Sequence, residues 1–431
     1  MKLRPFELGL VVVFLGLIFV SLFVFSTFSG GSSEEEFSVG NVLIWGMLDA
    51  RSMNELINEL KDENDGYLGV TYQYISPETF SDRLVNALAD GVGPDVILIS
   101  HEQLVEYRRR IAAYQYEIRD IRNAYIDGAE IFALNDGLYA YPIAVDPLVL
   151  YWNRDNLSNK GLLNAPRTWE ELINVQFPEL IERDYNRNIE NSVVAMGEYE
   201  NIRNAFGIFS MLLLQSGTRG VVEQDRGYAV QLDQSINGSN KPLYSTLSFY
   251  TRFSQVNNSL YSWNRSFIED RSRFISENLS FYFGYGSEGV ELERLNPNLN
   301  FDIAEVPQSE TATVRRTYGK FYGLAVTQAS QNKVGASAMV SILSGRENAA
   351  RIAAANNMVP AYRDYVAAGS SDTYGNIAYK VAPVAYGWLN PGMESVDEIF
   401  TTMTKDVNEN RYDVSTAVLD VVERLEDQYR N

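Results

Sequence analysis

Three stretches place carboxylates where a chain could hold a small polar molecule. Asp49 follows "IWGML", an apolar run that ends just before a helix-like segment. Glu102 and Gln103 stand just past "GPDVILIS", a second run of the same kind. Ligands of open α/β sheets sit beyond the carboxyl ends of the strands, which is where these side chains fall. Asp146 lies in "AYPIAVDPLVLYWNRDNL", an apolar stretch interrupted by Pro142 and Pro147. Prolines cannot extend a ladder, so the stretch reads as a crossing between two layers, with Asp146 facing the gap. Aromatic residues gather in three further places: Phe283 and Tyr285 around Gly284, Tyr318 and Tyr322 in "YGKFYG", and Tyr386 with Trp388 in "AYGWLNP". Carboxylates accept hydrogen bonds and flat rings offer apolar faces, so the set could line a site for a small molecule. The plainer alternative makes Asp49 a turn residue and the rings core.

Other chemistries are excluded by what the chain lacks. It has no cysteine and one histidine, His101, so thiol nucleophiles, thiolate metal sites and paired-imidazole metal sites are ruled out. No phosphate-binding glycine loop, nucleophile elbow or zinc motif occurs, and no cofactor is implied. A formal charge of −20 opposes nucleic acid, whose binding requires clustered cations.

The elements that must position these groups can be read in order. From Gly9 to Phe28 the chain carries no charge, a length of helix matching the hydrocarbon of a bilayer. Lys2 and Arg4 precede this run and "SGGSSEEE" follows it. The charge bias predicts a cytoplasmic segment 1–8, an anchor over 9–28 and an acidic tether over 29–37, with the body outside the cell. At 431 residues the chain is long enough for two soluble domains. The body opens with strand Val42–Met47, then a helix on Met53, Leu56, Ile57 and Leu60, for which Ser52 and Glu55 form a capping box. Strand "VTYQYI", a helix capped by Thr79 and strand "GPDVILIS" follow, which predicts a mainly parallel sheet. Beyond Pro147 the pattern becomes mostly helical. Tyr151 and Trp152 are assigned to packing.

Five motifs in order resemble a known family: "IWGMLD", "ALADGVGPDVIL", "YPIAVDPLVLYWNRD" with "APRTWEEL", "GYGSEGVELERLNPNLNFDIAEVPQ" and "YGLAVTQASQNKVGASAMVSIL". They are similar to the extracellular solute-binding proteins of ATP-binding-cassette importers, in particular the maltose-type sugar-binding group. The resemblance implies an α/β, two-lobed periplasmic-binding-protein type II fold with hinge crossings, here behind one N-terminal transmembrane helix. It implies lobe 1 over 38–144 and 285–358 and lobe 2 over 146–283 and 360–431, with crossings at 144–147, 283–285 and 359–361. It further implies a non-enzyme that captures a solute, a sugar or oligosaccharide, and delivers it to importer membrane subunits. Asp49, Glu102, Gln103 and Asp146 match positions near the family's sugar, and Trp388 falls where relatives often carry a cleft tryptophan. Glu102-Gln103 replaces an Asp-Arg pair that grips maltodextrin, which argues against that sugar. A cationic solute or peptide on the same fold, a secreted glycoside hydrolase and a surface protein that has lost transport are the competing expectations. A hydrolase would need two carboxylates at matched separation, and no motif singles out a pair.

Overall fold

The computed structural model describes residues 38–430 apart from Arg226, Asn237 and Ser239. The expected cytoplasmic segment, anchor and tether lie outside the described residues. Among the described residues no helix is long and apolar enough to cross a membrane.

The body opens with β1 (Val42–Gly46), α1 (Ala50–Glu63), β2 (Val70–Tyr74), α2 (Pro77–Ala89) and β3 (Val96–Ser100). β1 pairs in parallel with both β2 and β3, as strand–helix–strand connections dictate. Helix α1 buries Met53, Leu56, Ile57 and Leu60, the stripe expected of an amphipathic helix. Its cap differs from the expected box: Asp49 Oδ1 accepts the Ser52 N–H at 2.9 Å, while Glu55 pairs with Arg51. The cap moves upstream because Asp49 already stands where the strand ends. Helix α2 likewise starts earlier than expected, with Ser76 as N-cap and Pro77 in the first turn.

The proline-bearing stretch forms one continuous strand, β4 (Tyr141–Asn153). The remaining elements used below are β5 (Ile189–Val194), α3 (Ala205–Gln215), β6 (Val221–Gln224), β7 (Gly227–Val230), β8 (Leu279–Tyr285), β9 (Phe301–Ala304), β10 (Thr317–Val326), α4 (Met393–Asn408) and α5 (Val414–Arg430). The first half of β4 pairs with β10, which also pairs antiparallel with β3. Its second half, from Leu148, pairs antiparallel with β8 and β9. One strand therefore serves two groups of strands, and Pro147 is the last residue before the partners change. The missing N–H of proline costs least at such a place.

The other expected crossings are displaced. Phe283–Tyr285 pairs with Leu150–Leu148 inside the second group, and β9 lies there too. The chain returns to the first group only between Ala304 and Thr317. Gly284 marks crowding rather than a crossing: a Cβ there would meet the Tyr282 ring at 2.7 Å and the Tyr151 ring at 2.9 Å. Val359–Pro360 pairs with Val145–Ala144, and the next helix, Arg363–Ala368, still packs beside the first group's 118–124 helix.

Helix α3 buries nine of its eleven residues, and each large side chain removed from water contributes roughly 1.5–3 kcal/mol. It lies between β10 and the carboxy-terminal helices. Phe400 of α4 closes on Phe206 and Phe209 of α3, and α4 packs along α5.

Candidate functional site

A cavity of about 740 Å³ opens where the carboxyl ends of β1 and β3 and the first turn of α2 face the start of α4. Met47, Ser81, Gln103 and Tyr107 line one wall; Pro391 to Ser395 and Asp397 line the other; Lys320 and Tyr322 of β10 lie at the base. Its size falls within the usual range of ligand pockets, roughly 300–1,000 Å³.

The floor is a buried polar chain centred on the short turn His101–Gln103 that follows β3. Ser100 N–H donates to Gln103 Oε1 at 3.1 Å, which pins the turn. The Phe321 N–H donates to His101 Nδ1 at 3.2 Å, so the ring proton sits on Nε2 and faces the Tyr318 hydroxyl at 3.3 Å. Tyr318 donates in turn to Glu102 Oε1 at 2.5 Å. Burial, opposed in part by the Glu102 carboxylate, pulls His101 down to about 4, which keeps it neutral near pH 7. Gly387 permits this packing, since a Cβ there would stand 2.2 Å from His101 Nε2.

Burial alone would push the Glu102 carboxyl up. The Lys320 ammonium and the Tyr318 hydroxyl outweigh that and hold it below its ordinary value. Lys320 Nζ lies 3.2 Å from Glu102 Oε2 and 5.2 Å from the centre of the Tyr285 ring. Burial would lower the lysine, but Glu102 holds it well above its ordinary value. Two further lining acids shift upward. Burial raises Glu106, which accepts from the Ser81 hydroxyl. Burial also raises Asp397, which accepts from the Tyr199 hydroxyl at 2.8 Å. A Cβ on Gly392 would lie 3.5 Å from Glu106 Oε2, so this carboxylate touches the far wall.

The expected site residues divide. Glu102, Gln103 and Tyr322 line the cavity. Tyr318 and Tyr285 stand behind it, through Glu102 and Lys320. The other five do not line it. Asp49 caps α1. Asp146 is buried and accepts from the Ser287 N–H at 3.1 Å and the Ser287 hydroxyl at 2.5 Å. Phe283 packs on Trp169 in the second group's core. Tyr386 donates to Asp127 at 3.2 Å, under the Arg316 guanidinium. Trp388 is buried beside Phe206 and donates to Ser210 Oγ at 3.0 Å. Each of these five is held by partners of its own. Tyr151 is fully buried, whereas Trp152, assigned to packing, is half-buried beside a separate surface cavity.

Sequence reasoning missed Lys320, Ser81, Tyr107 and the "NPGMES" turn. For Lys320 a signal existed: side chains alternate along a strand, so it shares a face with Tyr318 and Tyr322. The turn gave none, because nothing local says which loop meets the far wall. Among the described residues no three His, Asp or Glu side chains are grouped to hold a metal ion.

Residues 46–350 match the model of a protein family described as bacterial extracellular solute-binding protein. A binding protein of Brucella abortus (strain 2308) is 21% identical over 353 residues, covering 78% of this chain and 80% of its own. A binding protein of Brucella suis biovar 1 matches to the same extent. The fold is similar to that of a cyclo/maltodextrin-binding protein solved with maltotetraose, with a TM-score of 0.69 and 16% identity, covering 90% of this chain and 97% of the other. It is also similar to a solute-binding protein of an ABC transporter from Thermotoga lettingae solved with alpha-D-tagatose, with a TM-score of 0.65 and 17% identity, covering 90% and 100%.

Proposed function

This chain belongs to the family of bacterial extracellular solute-binding proteins, and from that premise we propose that it captures a sugar or oligosaccharide outside the cell and presents it to the membrane subunits of an ABC importer. The single observation that carries the reading is the cavity bounded by β1, β3 and α2 on one side and the start of α4 on the other. The solved relatives bound to maltotetraose and tagatose support the ligand class. In this reading the two strand groups are the cores of two lobes that close over the solute, with β4 as the strand they share. Gln103 and Tyr322 contact the ligand, and Glu102 accepts its hydroxyls while held by Lys320 and Tyr318. Residues 9–28 anchor the body and 29–37 hold it off the membrane. The protein acts as a binder and not an enzyme.

Calorimetry of the full chain against a panel including maltotetraose and tagatose tests the reading. A bound saccharide whose affinity falls about tenfold or more in Tyr322→Ala or Gln103→Ala is the expected result. Binding that ignores both changes would place the ligand elsewhere.

A further inference from the structure

The charges of the cavity are unbalanced. Its lining includes Glu78, Asp82, Glu102, Glu106, Glu394 and Asp397, with Lys320 the only basic side chain. Lys320 is engaged by Glu102. Among the described residues the other five carboxylates form no ion pair within 4.0 Å, although they come from both walls. Glu106 shows part of the consequence: burial raises it, the Ser81 hydroxyl and the Arg110 charge offset this in part, and the Glu394 carboxylate of the opposite wall adds to the upward shift. Like charges facing each other across a closing gap oppose closure.

A second observation points the same way. Tyr107 is fully buried in the cavity lining, and its hydroxyl has no hydrogen-bond partner. The hydroxyl lies near the side chains of Ser81 and Gln103, both of which also line the cavity. A buried hydroxyl without a partner is costly, and a ligand group that reached it from the cavity would relieve that cost. Ionised carboxylates only accept hydrogen bonds, and the phenol oxygen accepts as well. The carboxylates of the lining offer only acceptors, and the lining carries net negative charge. A neutral sugar supplies hydroxyl donors but leaves the charge uncompensated, whereas a protonated nitrogen supplies both.

We infer that the ligand carries at least one protonated amine, seated between Asp82 and Glu106 of one wall and Glu394 and Asp397 of the other. The inference rests on the capture reading above and narrows its ligand class. An ammonium between the walls turns their repulsion into attraction, so the charge that opposes closure of the empty protein favours closure of the filled one. The amine could belong to an amino sugar or to a linear polyamine, and the chemistry of recognition is the same.

Calorimetry of the full chain slightly below neutral pH separates these cases. The probes are a glucosamine trimer, its uncharged N-acetylated form, maltotetraose and spermidine. The expected result is an amine probe that binds at least about tenfold more tightly than both neutral sugars, weakens with added salt and loses about tenfold or more in Glu394→Gln and in Asp397→Asn. Tyr107→Phe, which removes only a hydroxyl, weakens it by a smaller factor. Spermidine binding without the glucosamine trimer supports the amine and overturns the saccharide. A neutral sugar that binds as tightly as its amine counterpart overturns the amine and leaves the capture reading standing. Failure of every probe overturns both.

Discussion

Glu102 keeps its charge inside the protein because its neighbours are arranged for it. The Lys320 ammonium and the Tyr318 hydroxyl replace the water it lost, and neutral His101 steadies Tyr318 from behind. Asp146 shows the opposite outcome. Burial pushes its carboxyl from 3.8 up to about 7, and the two bonds from Ser287 only partly offset this. Its folded value lies above its unfolded one, so between about pH 4 and about pH 7 the folded chain holds a proton that the unfolded chain has lost. Stability from this group is therefore full in acid and is lost as pH rises through that window. Asp146→Asn removes the term. Its stability relative to the parent, measured by urea unfolding, is expected to improve as pH rises from about 4 to about 7, by on the order of 4 kcal/mol at most. A difference that stays flat across the window would show that the carboxyl titrates normally. At this scale residue type was legible and direction was not. Asp146 and Trp388 have the chemistry of a sugar site, but Ser287 and Ser210 claim them from more than 100 positions away.

The hairpin of β6 and β7 ties distant parts of the molecule together. Its Tyr228 packs on Tyr429 of α5, and its Glu223 reaches Arg108, in the turns after β3, at 2.6 Å. Glu223 also accepts the Asn135 N–H at 2.7 Å, and Arg108 donates to Tyr228 at 2.9 Å. The Glu223 side chain is only 9% exposed in this pair, whereas Arg154 and Asp302 pair at 48% and 29%. Glu223→Ala is expected to cost about 1–3 kcal/mol in urea unfolding, since it strips a half-buried guanidinium of one charged partner. Arg154→Ala is expected to cost no more than about 1 kcal/mol. Equal losses would mean that the hairpin contact is a surface pair like any other. Elements were the most legible scale. The parallel β1–β2–β3 unit, the buried α3 and the amphipathic α5 follow from periodicity that packing respects. The second crossing did not, because Gly284 has two explanations, a hinge or a close approach of rings, and only the Tyr151 and Tyr282 contacts decide between them.

For the whole molecule, the central claim is that two groups of strands sharing β4 close on a solute held between α2 and α4. If the groups close, electrostatics sets the cost: five unpaired carboxylates line the gap in a chain of net charge −20. A ligand that compensates them changes the balance between open and closed forms by its preference for the closed one. The chain has no cysteine, so two can be placed without interference. Val85 is 38% exposed on α2, which lines one wall, and Leu419 is 71% exposed on α5, which packs along α4 of the other. The most direct measurement is the distance between nitroxides on Val85→Cys and Leu419→Cys, by pulsed electron paramagnetic resonance, with and without the probe that binds in calorimetry. The account predicts a shorter and narrower distance distribution once the cavity is saturated. An unchanged distribution at saturation would contradict it.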